Sequence, residues 1–304
     1  MAERLTGVVS QPETSPRIGG RARTAVALAT TLLLWASAFA GIRVGLKVYA
    51  PGHLALLRYL VASAVLAAIW SLGRRALPER RDLPGIALMG LLGFTIYNAA
   101  LNYGEVTVTA GAASFLVNTA PVFTVILAIL FLGERLTLAG WIGIAISFAG
   151  ATVIAFAEGG GFHFSRGALW ILVSALAASG YTILQKRYLS RYGALALITY
   201  VIWAGTFFLL VFAPGLVSAV RAAPLNATLG VIYLGVFPGA LAYVTWAHVL
   251  AKIPASVAVS FIYIVPVLTV VIAYLWLGEV PQNLSLLGGA LALVGVVVVN
   301  TKGR

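Results

Sequence analysis

The chain has 304 residues, of which 61% are hydrophobic and only 9% are charged, and its mean hydropathy is +1.01. Soluble domains carry about 25% charged residues, so this composition excludes an ordinary water-soluble globule, and it excludes intrinsic disorder as well. The absence of cysteine excludes a disulfide-stabilised scaffold, and a net charge of +12 would indicate a nucleic-acid partner only in a soluble protein.

The chain begins with a polar stretch and continues as a series of apolar ones. Residues 1–23 contain four arginines with Pro12 and Pro16, and they predict a disordered tail. Ten apolar stretches follow, each about long enough to cross a bilayer core of roughly 30 Å. Their limits are 25–48, 54–72, 84–103, 107–132, 138–157, 167–187, 194–213, 225–247, 254–277 and 284–301. Continuous runs are not the alternating pattern of a membrane barrel, so the sequence predicts an all-α polytopic membrane protein with ten transmembrane helices.

The basic residues predict how this bundle is oriented. With ten spans and a cytoplasmic N-terminus, 15 of the 20 Lys and Arg residues fall in cytoplasmic segments. Cytoplasmic loops of membrane proteins carry such an excess of bases, so both termini are expected in the cytoplasm. The charge therefore needs no nucleic-acid partner, and the lipid bilayer is the expected surrounding.

Polar and aromatic side chains gather in particular spans of the first half. The residues are Trp35, Ser37, Phe39, Tyr97, Asn98, Asn102 and Asn118. Asn98 and Asn102 share one helical face of the third span. Asn118 lies three residues before Pro121, which lacks an N–H and so frees a backbone carbonyl within the fourth span.

The second half carries a similar set: Tyr181, Gln185, Tyr243, Trp246 and Tyr263. Pro266 repeats the helix break of Pro121, with Tyr263 in the place of Asn118. Together the two sets could line a central cavity that holds an amphipathic solute by stacking and hydrogen bonding. The alternative is that the aromatic rings lie at the membrane interfaces and that the polar groups only fasten helices together.

Ionisable residues within spans are few, and each is a functional candidate because it is costly in a membrane. Arg58 lies one turn inside the second span, and Glu105 ends the third span on the same, outer side. We hypothesise an ion pair between them at an outer gate. The alternative is that each extends separately to the lipid headgroups. Arg43 and Lys47, at the outer end of the first span, are expected to be interfacial anchors.

Three further residues admit two interpretations. Glu134 and Glu279 each follow a glycine that suits a left-handed helix cap and precede another helix, so a structural turn is favoured over an ion-coupling site. His248, at the cytoplasmic end of the eighth span, is a candidate titrating group. A lone histidine beside Lys252 is more commonly an interfacial residue.

The chain contains an internal repeat. At an offset of 145 residues, PVFTVILAILFLGER (121–135) aligns with PVLTVVIAYLWLGEV (266–280), with nine of fifteen positions identical. The register continues to Gly143/Gly288 and Gly150/Gly295. Each repeat then holds five helices, 24–157 and 167–301, and an odd number places the second copy upside down. Inverted repeats are typical of secondary transporters, which bind substrate where the repeats meet.

The motifs of this repeat resemble a known family. The sequence resembles the drug/metabolite transporter superfamily and its EamA family. The resemblance lies in WASAFAGIRVGL of the first span, the helix with Arg58 after Pro51, AGAASFLVNTAPVFTVILAILFLGERLT, and the repeat of this last motif before Gly278-Glu279. Within it the chain is most similar to the YddG-type bacterial exporters of aromatic and other amino acids. The resemblance implies a multi-pass carrier of the bacterial inner membrane, with a cavity enclosed mainly by the first, third, fourth, sixth, eighth and ninth helices.

The residues also bear on the energy source and on other function classes. No Asp lies in a span and no Glu lies near the middle of one, which favours facilitated diffusion, with coupling through Glu105, His248 or a backbone site as the alternative. No P-loop occurs, and no clustered acids or histidines indicate a metal, so we expect no cofactor, no metal and no enzymatic activity. A drug or other metabolite carrier of the same fold is the nearest alternative function, and a channel or a membrane-embedded enzyme would belong to a different class.

Overall fold

The computed structural model describes residues 18–73, 77–132, 135–160, 163–253, 258 and 261–302. Ten long helices are present in these ranges, and no strand occurs among them. They are α1 (Ile18–Gly45), α2 (Pro51–Ser71), α3 (Arg80–Glu105), α4 in two segments (Ala110–Val117 and Ala120–Leu132), α5 (Leu138–Glu158), α6 (Arg166–Tyr192), α7 (Ala194–Phe212), α8 (Leu225–Leu250), α9 (Phe261–Leu277) and α10 (Asn283–Lys302). A short helix, Leu216–Ala222, lies between α7 and α8.

Within the described residues, nine of the helices are long and apolar enough to cross a membrane, so the predicted polytopic all-α class is confirmed in these terms. The exception is α9, which is shorter because the predicted span 254–277 begins in a stretch that is mostly outside the described residues. At the other end, α1 begins at Ile18, inside the stretch 1–23 predicted as a tail. Basic side chains such as Arg23 are suited to the headgroup level, so a helix can extend beyond its apolar part.

Four helices depart from regular α geometry inside the bundle. A π-helical turn widens α3 at Leu91–Ile96, and another widens α8 at Phe237–Leu241. The α4 helix is interrupted at residues 118–119, and α9 starts with a 3₁₀ turn at Phe261–Ile264. Shifted by 145 residues, the first π turn falls on the second, and the α4 break falls on the 3₁₀ turn. Such π turns occur frequently at functional sites.

The interruption of α4 is stabilised by side chains, which bond backbone oxygens near it. The Asn118 amide nitrogen donates to the carbonyl oxygen of Ser114 (2.9 Å), and the Thr119 hydroxyl donates to that of Leu116 (2.7 Å). The Ser179 hydroxyl of α6 donates to the carbonyl oxygen of Ala120 (2.7 Å). Three backbone oxygens beside the break therefore accept hydrogen bonds from side chains, which the interior of a membrane protein favours.

The helices α5 and α10 approach each other closely through glycines. A Cβ atom built on Gly150 would lie 2.5 Å from the carbonyl oxygen of Gly288, and one built on Gly295 would lie 2.6 Å from that of Gly143. Small residues let the backbones of membrane helices come this near. The repeat thus places glycine at both contacts, because Gly143 corresponds to Gly288 and Gly150 corresponds to Gly295 in sequence.

The predicted left-handed cap is confirmed at Gly278, which ends α9 with φ of +67°. The corresponding Gly133 and Glu134 lie outside the described residues. The next residue, Glu279, accepts a hydrogen bond from the backbone N–H of Ala110 at the start of α4 (3.1 Å). The carboxylate therefore caps a helix from the other half of the chain, and not α10, which follows it in sequence.

Candidate functional site

Arg58 is a buried charged residue that lies well inside a membrane-spanning helix. It is the eighth residue of α2, about 10 Å along the helix from Pro51 at 1.5 Å per residue. Only 5% of its surface is exposed. One terminal nitrogen, Nη1, donates to Oδ1 of Asn98 over a long 3.4 Å, and the guanidinium carbon lies 5.3 Å from the centroid of the Tyr59 ring. The Nε atom has no hydrogen-bond partner in the described part of the chain.

Aromatic rings form a continuous group beside Arg58, which we call the aromatic cluster. Its members are Trp35 of α1, Tyr59 of α2, Phe94 of α3, Tyr181 of α6, and Tyr243 and Trp246 of α8. The five pairs in contact have ring centroids 5.4 to 6.0 Å apart, mostly edge-to-face or tilted. This spacing is that of favourable aromatic pairs. The cluster draws on five helices, three before residue 160 and two after it.

Polar atoms of this region lack partners although they are buried. The indole nitrogen of Trp35, the hydroxyl of Tyr59 and Nε of Arg58 make no hydrogen bond within the described residues. An unsatisfied buried polar group costs about 1–3 kcal/mol, so three in one region require a reason. A polar ligand or water between the helices would supply the missing partners.

Of the predicted cavity residues, four belong to the aromatic cluster, and three more hydrogen-bond near it. Ser37 shares a 2.8 Å hydrogen bond with the hydroxyl of Tyr233. Asn98, fully buried, donates to the carbonyl oxygen of Phe94 (2.8 Å) and accepts from Arg58. Asn102 donates to the carbonyl oxygen of Pro51 (3.0 Å), and its own Oδ1 has no partner among the described residues.

The other predicted residues are placed differently. Phe39 is buried in an apolar core with α4 and α8, and Tyr97 lies at the edge of that core. Tyr263 accepts a 2.8 Å hydrogen bond from Asn300 and packs against a separate core of α4, α5 and α10, and Asn118 bonds within its own helix. Gln185 is half-buried one turn after Tyr181. Pro121 is half-buried in the first turn after the α4 break, and Pro266 is buried in the first turn after the 3₁₀ turn.

The hypothesised ion pair between Arg58 and Glu105 is not formed in this structure. No carboxylate lies within ion-pair distance of Arg58 in the described ranges, and both carboxylate oxygens of Glu105 lack a hydrogen-bond partner there. Glu105 follows Asn98 by two helical turns, about 10 Å along α3, and it is fully buried. Arg58 contacts Asn98 and Tyr59 instead.

Arg43 contacts residues from both halves of the chain. The sequence predicts it to be an interfacial anchor, but in the structure it pairs with protein groups. Its Nε lies 2.8 Å from a carboxylate oxygen of Glu279, and its Nη1 donates to the backbone oxygen of Glu105 (2.6 Å). Because Glu279 also caps α4 at Ala110, one ion pair connects α1, α3, α4 and the end of α9. A carboxylate at a helix N-terminus is favoured by the helix dipole.

A second carboxylate completes this polar group at the same end of the bundle. Glu158, at the end of α5, accepts from the backbone N–H and the hydroxyl of Thr109 (2.9 and 3.1 Å) and from the hydroxyl of Ser285 (2.8 Å). Together, Arg43, Thr109, Glu158, Glu279 and Ser285 form what we call the carboxylate network. It links residues from both halves at this end of the bundle.

The opposite end of the bundle has its own link between the halves and an open groove. Asp82, at the start of α3, accepts hydrogen bonds from Arg191 (2.6 and 2.7 Å) and from the hydroxyl of Tyr192. His248 is exposed at this end, on a groove of about 460 Å³ between α1 and α8 that Arg23 and Thr245 also line. The residues that line the groove belong to the first turns of α1 and the last turns of α8, near the expected membrane edge. His248 is not part of the aromatic cluster.

Sequence reasoning missed two members of the aromatic cluster. Tyr59 is adjacent to Arg58, and Phe94 lies in the first π turn, where Thr95 donates to the carbonyl oxygens of Gly205 and Gly90. The sequence signal for Tyr59 was its position next to Arg58, a cation within a span. No signal was available for Phe94, since a π turn shifts the helical face in a way that a regular 3.6-residue period does not anticipate.

No group of three or more His, Cys, Asp or Glu side chains that could hold a metal ion occurs among the described residues. The family model described as the EamA-like transporter family matches the chain twice, over residues 23–156 and 165–301. The two matches have almost the limits of the two predicted repeats.

Curated relatives and a solved structure agree with this match. The chain is 45% identical over 281 residues to the "probable terminal-alkyne amino-acid exporter" of Streptantibioticus cattleyicolor, covering 91% of this chain and 94% of the relative. It is 44% identical over 263 residues to the "uncharacterized transporter YdfC" of Bacillus subtilis, covering 86% of each. A crystal structure that is 21% identical covers 91% of this chain and 96% of its own with a TM-score of 0.60, which shows a shared fold. The chain therefore belongs to the EamA-like transporter family.

Proposed function

We propose that this chain exports small amphipathic metabolites, amino acids including aromatic ones, through a cavity at the aromatic cluster. The observation that carries the proposal is the combination of six rings from five helices with three buried polar atoms that lack partners. Such a surface can stack on an apolar side chain and hydrogen-bond to polar groups of the same molecule. The predicted cavity residues Trp35, Asn98, Tyr181, Tyr243 and Trp246 form its core.

Amino acids are the substrate class favoured by the relatives. The Streptantibioticus protein, similar over 91% of this chain, is named a probable exporter of a terminal-alkyne amino acid. An alkyne, like an aromatic ring, is an apolar π system on an amino-acid backbone. The YddG-like specificity for aromatic amino acids rests on the cluster itself, whose edge-to-face geometry could accommodate a further ring.

The mechanism we propose is alternating access between two inverted halves, 24–157 and 167–301. The glycine contacts support it: Gly143 approaches Gly295, while Gly150 approaches Gly288. If the halves were related by an axis along the membrane normal, Gly143 would instead meet its own counterpart Gly288 at the same height. The crossed pairs are those of antiparallel helices about an axis in the membrane plane.

The orientation we propose places the carboxylate network outside and both termini in the cytoplasm of a bacterial inner membrane. The excess of bases in alternate connections supports it. In this orientation the ion pair between Arg43 and Glu279 would hold the two halves together at the outer side. Facilitated diffusion down the gradient of the solute is the proposed mode of transport, since the buried carboxylates of the described spans, Asp82 and Glu105, lie at the two ends of α3 and not near its middle.

Uptake of labelled L-phenylalanine, L-tryptophan and other amino acids into proteoliposomes tests the proposal. We expect saturable flux that an unlabelled competitor inhibits, because a carrier has a finite number of sites. Imposing a proton gradient should leave the steady-state accumulation unchanged for a facilitator. Absence of saturable flux for every amino acid would contradict the function, and accumulation driven by the gradient would contradict facilitation alone.

Replacing Trp35 by alanine is expected to raise the KM for an aromatic amino acid about 3- to 10-fold, because a favourable aromatic contact is worth about 0.5–1.5 kcal/mol. Trp141→Ala is the matched control, since Trp141 is exposed on α5 outside the cluster. Initial rates in proteoliposomes over a range of phenylalanine concentrations give both values. Equal KM values for the two variants would show that the cluster does not contact the substrate.

A further inference from the structure

Arg58 carries a buried positive charge for which the described residues supply no negative partner. It is 5% exposed, it forms no ion pair, and its Nε makes no hydrogen bond there. Its one hydrogen bond, to Asn98, is long at 3.4 Å. Burying a charge costs several kcal/mol of folding free energy unless the charge is paired. A charged residue inside a membrane-spanning helix is therefore usually one that has a function.

The surroundings of Arg58 come from both halves of the chain. Asn98, which lies in α3 just after the first π turn, accepts the hydrogen bond from Nη1 of Arg58. On the other side, Gly239 lies in the π turn of α8, and a Cβ built there would come within 3.8 Å of Nε. This distance is an ordinary van der Waals contact, so the π turn of α8 adjoins the unpartnered nitrogen. Arg58 therefore lies between the two π turns, one from each half of the chain.

Apolar ring surface adjoins this charge. The guanidinium is 5.3 Å from the Tyr59 centroid, and Tyr59 leads through Phe94 to Tyr243 and Trp35. A guanidinium binds a carboxylate with two parallel hydrogen bonds, and Nε with a terminal nitrogen can form one such pair. A molecule with a carboxylate at one end and an apolar or aromatic group at the other fits this arrangement.

We propose that Arg58 binds the carboxylate of the transported solute and that the aromatic cluster holds its apolar part. This rests on the proposed function and names the recognition group within it: the site selects carboxylates over amines of the same shape. Asn98 positions the guanidinium through Nη1 and leaves Nε free for the ligand. Glu105, about two turns away along α3, is outside this binding pair.

Binding measured apart from transport tests the proposal. Purified full-length protein is titrated with phenylacetate, L-phenylalanine and phenethylamine, and the shift of the thermal unfolding midpoint gives an apparent Kd for each. For the unmodified protein we expect both carboxylates to bind about 10- to 100-fold more tightly than phenethylamine, the range that charge-assisted hydrogen bonds supply. Arg58→Gln should weaken both carboxylates by a similar factor without weakening phenethylamine.

Two further variants keep the test decisive. Arg58→Lys retains the positive charge but not the two parallel N–H donors of the guanidinium. It should therefore bind carboxylates more tightly than Arg58→Gln and less tightly than the unmodified protein. Arg58→Met removes the unpaired charge and should unfold at a higher temperature than the unmodified protein while losing the carboxylate preference, as expected for a group kept for function. An Arg58→Gln protein that binds phenylacetate as before, or an unmodified protein that prefers phenethylamine, would overturn the proposal.

The outcome is separable from that of the proposed function. If phenylacetate and phenylalanine bind through Arg58 but no amino acid shows saturable flux, the exporter function fails and the carboxylate site stands. If amino-acid flux is saturable and Arg58→Gln leaves its KM unchanged, the carboxylate site fails and the exporter function stands.

Discussion

Replacing Gly150 by leucine is expected to lower the midpoint of thermal unfolding by about 10 °C and to reduce the yield of folded protein. The position a Cβ would take on Gly150 is 2.5 Å from the carbonyl oxygen of Gly288, so α5 and α10 must separate to admit any side chain. Overpacking of this kind costs about 3 kcal/mol, and each kcal/mol corresponds to about 2–4 °C in a chain of this size. Fluorescence-detected size-exclusion after heating gives the midpoint.

The matched control is Gly230→Leu, in another membrane-spanning helix, α8. No heavy atom of the described residues comes within 4 Å of the position a Cβ would take there, so the change should shift the midpoint by no more than about 2 °C. Gly295→Leu, the repeat counterpart, should resemble Gly150→Leu because its Cβ would lie 2.6 Å from the carbonyl oxygen of Gly143. A Gly150→Leu protein as stable as the Gly230→Leu protein would show that the α5–α10 contact is not close.

Replacing Arg43 by glutamine is expected to weaken the link that the carboxylate network makes between the two halves, and so to open that end of the bundle. The change removes the 2.8 Å ion pair with Glu279 and the charge-assisted hydrogen bond to the backbone of Glu105. Interactions of this kind are worth about 1.5 kcal/mol or more each, and 1.4 kcal/mol changes a population ratio about tenfold. The fraction of molecules open at this end should therefore rise by about tenfold or more.

Labelling of an introduced cysteine measures this opening, and the chain helps because it contains no cysteine. Ser114→Cys places a thiol one turn inside α4, where the residue is fully buried in the closed state. A water-soluble maleimide should react with it about tenfold faster when Arg43→Gln is also present. Lys47→Gln is the matched control, since Lys47 is exposed one turn further and forms no ion pair in the described residues.

The result can contradict the assignment in two ways. Equal labelling rates with and without Arg43→Gln would show that the Arg43–Glu279 pair does not hold this end closed. A similar rise for Lys47→Gln would indicate a general effect of charge at this end. Arg43→Lys, which can keep the ion pair but not both contacts, is expected to give an intermediate rate.

Sequence alone determined the class of the protein, the positions of the apolar stretches and the register of the repeat. These properties are local or periodic: hydropathy is summed over a span, and Gly143, Gly150, Gly288 and Gly295 are aligned by offset alone. The left-handed cap at Gly278 was predictable for the same reason, because the helix end is set by neighbouring residues.

The tertiary structure decided which charged groups meet. Arg43 pairs with Glu279, 236 residues away, and Arg58 contacts Asn98 instead of Glu105. Such contacts depend on the rotation and tilt of each helix against its neighbours, and the π turns in α3 and α8 change that rotation part-way along the helix. The mean hydropathy of a span does not depend on its rotation, so only the packed bundle could place Arg58, Tyr59 and Phe94 together.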